Sequence, residues 1–201
     1  MSRYEWLPTK EELTAFAEAE PEEEHFRYSG VFAEVSMITN SLGLTGVGGL
    51  TQENFERHQF NCVISAAPER EFNPQNIDYI KIDVYDEQQS DLSQYFDMIA
   101  DKISEVESNG GKTLIHCMAG VSRSSTLVIA YLIKHRRMTL REALIQVKQK
   151  RSCVRPINAF LKQLMQFEKQ VLGTNSIHMS ISLKMASKLK HLISILEENI
   201  N

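Results

Sequence analysis

The sequence predicts an α/β fold in which a central, mainly parallel twisted sheet is flanked by helices. Two short apolar runs bounded by turn residues, 61–65 and 112–116, are typical of buried strands. Apolar residues at helical spacing predict helices over 90–108 and 122–135. Strands that alternate with helices along a chain favour parallel pairing, with helices packed against the sheet.

Two further strands and one loop are predicted in the first half of the chain. Residues 36–38 form a possible strand, and the alternation of Ile80, Ile82 and Val84 predicts another over 77–84. The segment 42–50 contains four glycines but no Gly-Lys-Ser/Thr motif of a nucleotide-binding loop. We therefore expect it to be a turn-rich connection into a helix at 51–58.

Local end signals define the later helices. Thr139 and Glu142 form a capping-box pattern, which predicts a helix from there to about residue 149. Pro156 precedes a predicted helix that runs to residue 172, and Gly173 follows as a C-terminal cap.

Length and composition indicate one globular domain with two extensions. The chain has 201 residues, of which 42% are hydrophobic, and a net charge of −4, which does not favour a general nucleic-acid-binding surface. We predict an acidic N-terminal extension over 1–30, with a short helix at 9–19, and a folded domain over 31–173. Residues 174–201 form a tail, in which helical spacing is shared by Leu189, Leu192, Ile193 and Leu196. The oligomeric state is not predicted.

Cysteine usage and hydropathy indicate the cellular setting. Three cysteines at spacings that fit no zinc motif argue against a disulfide framework or a metal site. The N-terminus lacks the pattern of a targeting peptide, and no apolar run approaches the length of a membrane span. We expect a reducing cytoplasmic or nuclear compartment, in which a free thiolate can persist.

The most informative segment is His-Cys-Met-Ala-Gly-Val-Ser-Arg-Ser, residues 116–124, between a predicted buried strand and an apolar helix. Ligands of open α/β sheets bind at such strand ends. The first amides of a helix have no intrahelical partners, and the helix dipole adds positive potential there. A loop containing the flexible Gly120 can aim these amides at one phosphate group. We predict a phosphate-binding loop made by Met118, Ala119, Gly120, Val121, Ser122 and Arg123.

Three side chains around this loop fit nucleophilic catalysis. The helix N-terminus favours the thiolate of Cys117, which is the reactive form of cysteine. Arg123 offers a planar fork of donors that can grip two phosphate oxygens. Ser124 can donate to the sulfur and make it a better leaving group. His116 points to the opposite face of the strand, so we expect it to fix the loop by hydrogen bonding rather than to act as a base.

The string formed by His116, Cys117, five further residues, Arg123 and Ser124 resembles the signature of protein tyrosine phosphatases. The fuller string HCMAGVSRSSTLVIAYLIKH is similar to the dual-specificity subgroup, particularly its small atypical members. The resemblance extends from about residue 35 to 173 and implies that 31–173 is a catalytic domain. It implies hydrolysis of phosphotyrosine and phosphoserine/threonine on proteins, signalling kinases among them, through a phosphocysteine intermediate and without metal or other cofactor.

The reaction needs a general acid to protonate the leaving oxygen. Four acidic residues follow the strand predicted at 77–84, and we expect Asp83 to face solvent on the strand and Asp91 to cap the next helix. Asp86 lies in the loop between them and matches the position of the family's general acid. We predict that Asp86 is the acid, with Asp91 as the alternative.

Several alternative residue roles and functions are also compatible with the sequence. Arg151 or Arg155 could contact a second phosphate or an acidic flank of the substrate, or could belong to a solvated basic face. Many relatives have Asn directly after the proline before the last helix, whereas this chain has Ile157 and then Asn158, so Asn158 is left out of the site. Phosphoinositides or RNA 5′-phosphates are less favoured substrates because the loop contains no lysine. A catalytically inactive phosphopeptide-binding module is the alternative from another functional class.

Overall fold

The computed structural model describes residues 30–70, 72 and 74–177, so the predictions for 1–29 and 178–201 lie outside the described residues. Its sheet has five strands, β1 (Ser36–Met37), β2 (Leu42–Gly46), β3 (Cys62–Ser65), β4 (Asp78–Lys81) and β5 (Thr113–Cys117). Their order is β1-β2-β5-β3-β4, with β1 antiparallel and the other pairs parallel. The predicted α/β fold with a mainly parallel sheet is confirmed.

Five α-helices of the described chain surround this sheet: α1 (Gln52–His58), α2 (Phe96–Ser108), α3 (Arg123–Arg136), α4 (Leu140–Lys150) and α5 (Asn158–Leu172). The predicted capping box is present, since the Thr139 side chain accepts from the Glu142 amide and the Glu142 carboxylate accepts from the Thr139 amide. Gly173 ends α5 at a φ of 75°, in the left-handed region that favours glycine. The predicted helix at 90–108 begins later, at Phe96, after a 3₁₀ turn at Ser93–Tyr95.

Helix α3 lies at the centre of the molecule. Every residue from Arg123 to Ile133 is buried, and the helix packs between the sheet and α2, α4 and α5. Its aliphatic side chains share one core with Ile64 and Ile115 of the sheet, while Val63 and Leu114 face the second core formed with Phe55 and Phe60. This packing fixes the start of α3 directly beyond the end of β5.

The expectation for residues 42–50 is wrong, because most of this glycine-rich segment is the buried strand β2 followed by a 3₁₀ turn at Val47–Gly49. Gly43 and Gly46, the two glycines of β2, allow close packing and do not form a turn. A Cβ on Gly43 would lie 2.8 Å from the Phe60 ring, and a Cβ on Gly46 would lie 2.8 Å from the Met118 carbonyl oxygen. Glycine in a strand often marks such a close approach, and here it lets β2 contact the loop after β5.

Among the residues that the structure covers, no helix combines the length and the apolar character needed to cross a membrane.

Candidate active site

The candidate site is built around the signature loop, defined here as residues 118–122, which joins β5 to α3. Cys117 is the last residue of β5 and Arg123 is the first residue of α3. Within the loop, Gly120 has a φ of +67°, and a Cβ there would lie 2.5 Å from the Thr45 carbonyl carbon. Backbone conformation and lack of space therefore both require glycine at this position.

Cys117 lies at the end of β5, directly before the signature loop. The residue is only 3% exposed, and Ser124 Oγ donates a hydrogen bond to Cys117 Sγ over 3.0 Å. A donor to sulfur stabilises a thiolate, as the sequence predicts for Ser124. A second cysteine, Cys62, lies buried on β3, where burial raises the pKa of its thiol to about 12. We expect that thiol to be inert near neutral pH.

Arg123 is 4% exposed and is held in a fixed orientation. Its two terminal nitrogens grip the Glu69 carboxylate at 2.8 and 2.6 Å, and Nη1 also donates to the Val84 carbonyl over 3.3 Å. Nε is buried and has no hydrogen-bond partner among the described residues. The edge of the guanidinium formed by Nε and Nη2 can therefore still grip two oxygens of a ligand.

The charges around Arg123 keep it protonated. Burial by itself lowers the pKa of the guanidinium, but its hydrogen bond to Glu69 and the charges of Cys117, Glu69 and Asp86 raise that pKa above its ordinary value. The guanidinium thus lies within electrostatic reach of both the sulfur and the predicted acid.

Asp86 is the acidic residue that reaches the signature loop. It is exposed in the connection between β4 and α2, and its Oδ1 accepts a hydrogen bond from Ser122 Oγ over 2.7 Å. Asp91, the alternative acid, caps the following turn instead, where its Oδ1 accepts from the Ser93 amide over 2.9 Å. Asp83 is exposed just beyond β4, and Glu87 accepts from the Gln89 side chain.

Comparison with protein families identifies the family of this chain. Residues 44–170, more than half of the chain, match the family model described as "Dual specificity phosphatase, catalytic domain". The chain belongs to the dual specificity phosphatases. Human dual specificity protein phosphatase 14 is 37% identical to it over 153 residues, which cover 75% of this chain and 77% of the relative. Bovine dual specificity protein phosphatase 18 is 39% identical over 148 residues, covering 72% and 78%.

Solved structures share the fold of this phosphatase. The crystal structure of human DUSP28 superposes with a TM-score of 0.65 at 23% identity, covering 69% of this chain and 95% of that one. Human tyrosine phosphatase-like serine/threonine/tyrosine-interacting protein gives a TM-score of 0.65 at 26% identity, covering 70% and 99%. Nearly the whole of each neighbour is thus matched by about 70% of this chain.

Arg151 supports the signature loop through hydrogen bonds to backbone carbonyls, which corrects the expectation that it could contact a substrate. It is only 2% exposed, and its guanidinium donates to the carbonyls of Ala119, Gly120 and Glu34 at 3.1, 2.9 and 2.9 Å. These bonds fix the orientation of the carbonyl groups of Ala119 and Gly120. Burial lowers the pKa of Arg151. Sequence reasoning missed this role because Arg151 stands in a run of basic residues that resembles a solvated face.

Two neighbours of Arg151 remain at the surface. Arg155 has an exposed side chain, and its backbone N–H donates to the Val121 carbonyl over 2.9 Å. The side chain of Asn158 is also exposed at the start of α5 and makes no hydrogen bond to the described residues.

His116 differs from the expectation that it fixes the loop by hydrogen bonding. The ring is fully buried, and neither of its nitrogens has a partner of normal geometry among the described residues. It packs edge-on against Phe72, with the ring centroids 6.0 Å apart. Burial, opposed by a polar contact with the Cys117 backbone, lowers its pKa to about 4. His116 is thus neutral near pH 7 and supports the loop by packing.

Glu69 is the other residue of the site that sequence reasoning missed. It lies four residues after β3, the strand next to β5 in the sheet. An available signal was its place beyond the carboxyl end of a parallel strand, where side chains meet those of the neighbouring strand's loop.

Proposed function

We propose that this chain is a protein phosphatase that hydrolyses phosphotyrosine and phosphoserine/threonine on protein substrates through a phosphocysteine intermediate. One observation carries the proposal. The Cys117 sulfur, the unoccupied edge of the Arg123 guanidinium and the Asp86 carboxylate all converge on one strand-to-helix loop. Family membership supports the same reaction class.

In the first step, the amides of the signature loop and the Nε–Nη2 edge of Arg123 would hold three phosphate oxygens. Cys117 attacks phosphorus, so the S–P bond forms while the P–O bond to the substrate breaks. The proton of Asp86 passes to the leaving oxygen. Preorganised donors that meet the developing charge are usually the largest contribution to catalysis.

In the second step, Asp86 would take a proton from water, which attacks the phosphorus of the thiophosphate. The S–P bond breaks, inorganic phosphate is released and the sulfur leaves as a thiolate. The hydrogen bond from Ser124 Oγ to Cys117 Sγ stabilises that thiolate. Asp86 is thereby reprotonated for the next cycle.

The substrates and cellular setting belong to the same proposal. Phosphorylated proteins, signalling kinases among them, are the proposed partners, and residues 31–173 are the proposed catalytic domain. We propose a cytoplasmic location, with the nucleus as a second one, because a catalytic thiolate needs a reducing compartment. The absence of lysine from residues 118–122 supports protein phosphates over phosphoinositides or RNA 5′-phosphates.

Turnover of 4-nitrophenyl phosphate and of matched phosphotyrosine and phosphothreonine peptides tests the proposal. We expect hydrolysis by the unmodified chain and complete loss in Cys117→Ser. Cys153→Ser is the matched control, because Cys153 lies partly exposed after α4, and this variant should retain turnover. Peptide binding without Cys117-dependent turnover would contradict the enzyme and leave a phosphopeptide-binding module.

A further inference from the structure

The hydroxyl of Ser122 makes contacts that its position along the chain does not predict. Ser122 directly precedes α3, where a serine side chain usually accepts a hydrogen bond from an amide of the first helical turn. The Ser122 side chain makes no such bond. The amides of the first turn of α3 are therefore left available for an anion.

The hydroxyl instead joins two other segments. The backbone N–H of Ile157 donates to Ser122 Oγ over 3.2 Å, and Ser122 Oγ donates to Asp86 Oδ1 over 2.7 Å. A serine hydroxyl has one proton, and the Ile157 amide already occupies a lone pair of the oxygen. The proton is thus directed at the Asp86 carboxylate, and the loop before α5 fixes the donor.

Asp86 depends on this contact for its orientation. It lies exposed in a connection without regular secondary structure. Within the described residues, the bond from Ser122 is the one hydrogen bond of its side chain. An exposed carboxylate without an anchor samples several rotamers, and catalysis requires the acid within hydrogen-bond reach of the leaving oxygen.

We propose that Ser122 is the positioning residue for the general acid, an inference that rests on the proposed phosphatase function. Because Oδ1 accepts the Ser122 hydrogen bond, Oδ2 is the oxygen that carries the catalytic proton. During the first step that proton moves from Oδ2 to the leaving oxygen as the S–P bond forms and the P–O bond breaks. Ser122 itself loses no proton and forms no bond to substrate through its side chain.

Leaving-group dependence tests the proposal. Phenyl phosphate has a poor leaving group that needs protonation, whereas 4-nitrophenyl phosphate has a good one that needs it far less. General acids typically contribute 10²–10⁴-fold, so we expect Asp86→Asn to lose about that factor on phenyl phosphate. Ser122→Ala should lose about 10-fold in kcat/KM on phenyl phosphate and less than about 2-fold in kcat/KM on 4-nitrophenyl phosphate. This constant reports the first step, in which the leaving oxygen is protonated, and not the second step that both esters share.

Two controls separate positioning from a general effect on the loop. Ser125→Ala removes a neighbouring hydroxyl, which bonds the Val121 and Ser122 carbonyls without touching Asp86, and it should leave the ratio of the two rates unchanged. Ser122→Thr keeps a hydroxyl and should restore most of the phenyl phosphate rate. In an Asp86→Asn background, Ser122→Ala should not change the ratio further.

Equal losses of kcat/KM on both substrates in Ser122→Ala would overturn the inference, as would a further change of the kcat/KM ratio in the Asp86→Asn background. Either result would leave the proposed function intact, since Cys117-dependent turnover of 4-nitrophenyl phosphate would persist. Failure of the proposed function is a separate outcome, in which the unmodified chain hydrolyses neither ester.

Discussion

Two arginines next to the signature loop, Arg123 and Arg151, are buried to a similar degree but have different surroundings. Arg123, which directly follows the loop, forms an ion pair with Glu69, whose side chain is 32% exposed. Arg151 donates to three backbone carbonyls and to Ser36 Oγ, and it forms no ion pair with a carboxylate of the described residues. Burial lowers the pKa of Arg151, whereas surrounding negative charge raises that of Arg123.

The difference separates two functions that one residue type can serve. A guanidinium whose partner is a water-accessible carboxylate can accept an anionic ligand on its remaining edge. A buried guanidinium that donates mainly to backbone carbonyls has a structural role, and its removal leaves the carbonyls of Ala119 and Gly120 without that donor. We therefore expect substitutions of Arg123 to affect catalysis and substitutions of Arg151 to affect stability.

The largest expected effect is that of Arg123→Met on turnover. The variant loses the charged fork that grips phosphate, so kcat/KM for 4-nitrophenyl phosphate should fall by about 10³-fold or more. The free energy of unfolding should change by less than about 1 kcal/mol, because the exposed part of Glu69 can hydrate. Steady-state kinetics and urea unfolding measure the two quantities on the same preparation.

Arg123→Lys sharpens this result. Lysine keeps the charge but not the planar fork, so a recovery to near the unmodified rate would show that charge alone suffices and would contradict the bidentate role. A large loss of stability in Arg123→Met would contradict the contrast between the two arginines.

The second expected effect is a loss of stability in Arg151→Met. The substitution leaves the carbonyls of Ala119 and Gly120 without the Arg151 donor, while the Glu34 carbonyl keeps only its bond from Thr45 Oγ1. Removal of one partner from a buried polar network destabilises strongly, and we expect the free energy of unfolding to fall by about 3 kcal/mol. Chemical denaturation at constant pH measures this change.

Arg155→Met is the matched control, since the Arg155 side chain is exposed and its loss should change stability by less than about 0.5 kcal/mol. Equal stability of Arg151→Met and Arg155→Met would contradict the structural role of Arg151. A catalytic loss in Arg151→Met without destabilisation would also contradict it.

The same two arginines show what sequence can predict. Arg123 is predicted as the phosphate clamp because a motif and a strand-to-helix transition coincide there, and the physics of helix N-termini predicts an anion site. Arg151 and Glu69 were missed because their roles depend on contacts across the fold. Arg151 reaches Glu34 from more than a hundred residues away, and no local pattern carries that information.

Glycine residues led to a wrong prediction for strand β2, whereas Gly120 supported the prediction of the signature loop. The four glycines of segment 42–50, without a nucleotide-binding motif, predict a turn-rich connection. The strand β2 tolerates Gly43 and Gly46 because Phe60 and the signature loop leave no space for side chains. Gly120 was predicted correctly because the loop chemistry itself demands an unusual backbone conformation.

The smallest expected effect concerns pH, and it comes from His116 because both arginines stay charged over the accessible range. Burial and the charge of Arg123 lower the pKa of His116 to about 4, against the opposing influences of the Cys117 backbone and Glu69. The unfolded chain therefore binds this proton more readily than the folded one. Stability from the neutral ring is fully present above about pH 6.5 and is lost as pH falls toward 4, by about 2 kcal/mol at pH 5.

Urea unfolding of the unmodified chain and of His116→Gln at pH 7 and pH 5 isolates this contribution. Glutamine does not titrate, so the variant should lose about 2 kcal/mol less than the unmodified chain between the two pH values. His58, whose pKa is also lowered, is common to both proteins, and its contribution cancels. The carboxyls of Asp101 and Glu107, whose pKa values are lowered, lose their contribution only at lower pH. Equal pH dependence in the two proteins would mean that His116 finds a stabilising partner when protonated, which contradicts a ring enclosed without hydrogen bonds beneath the loop.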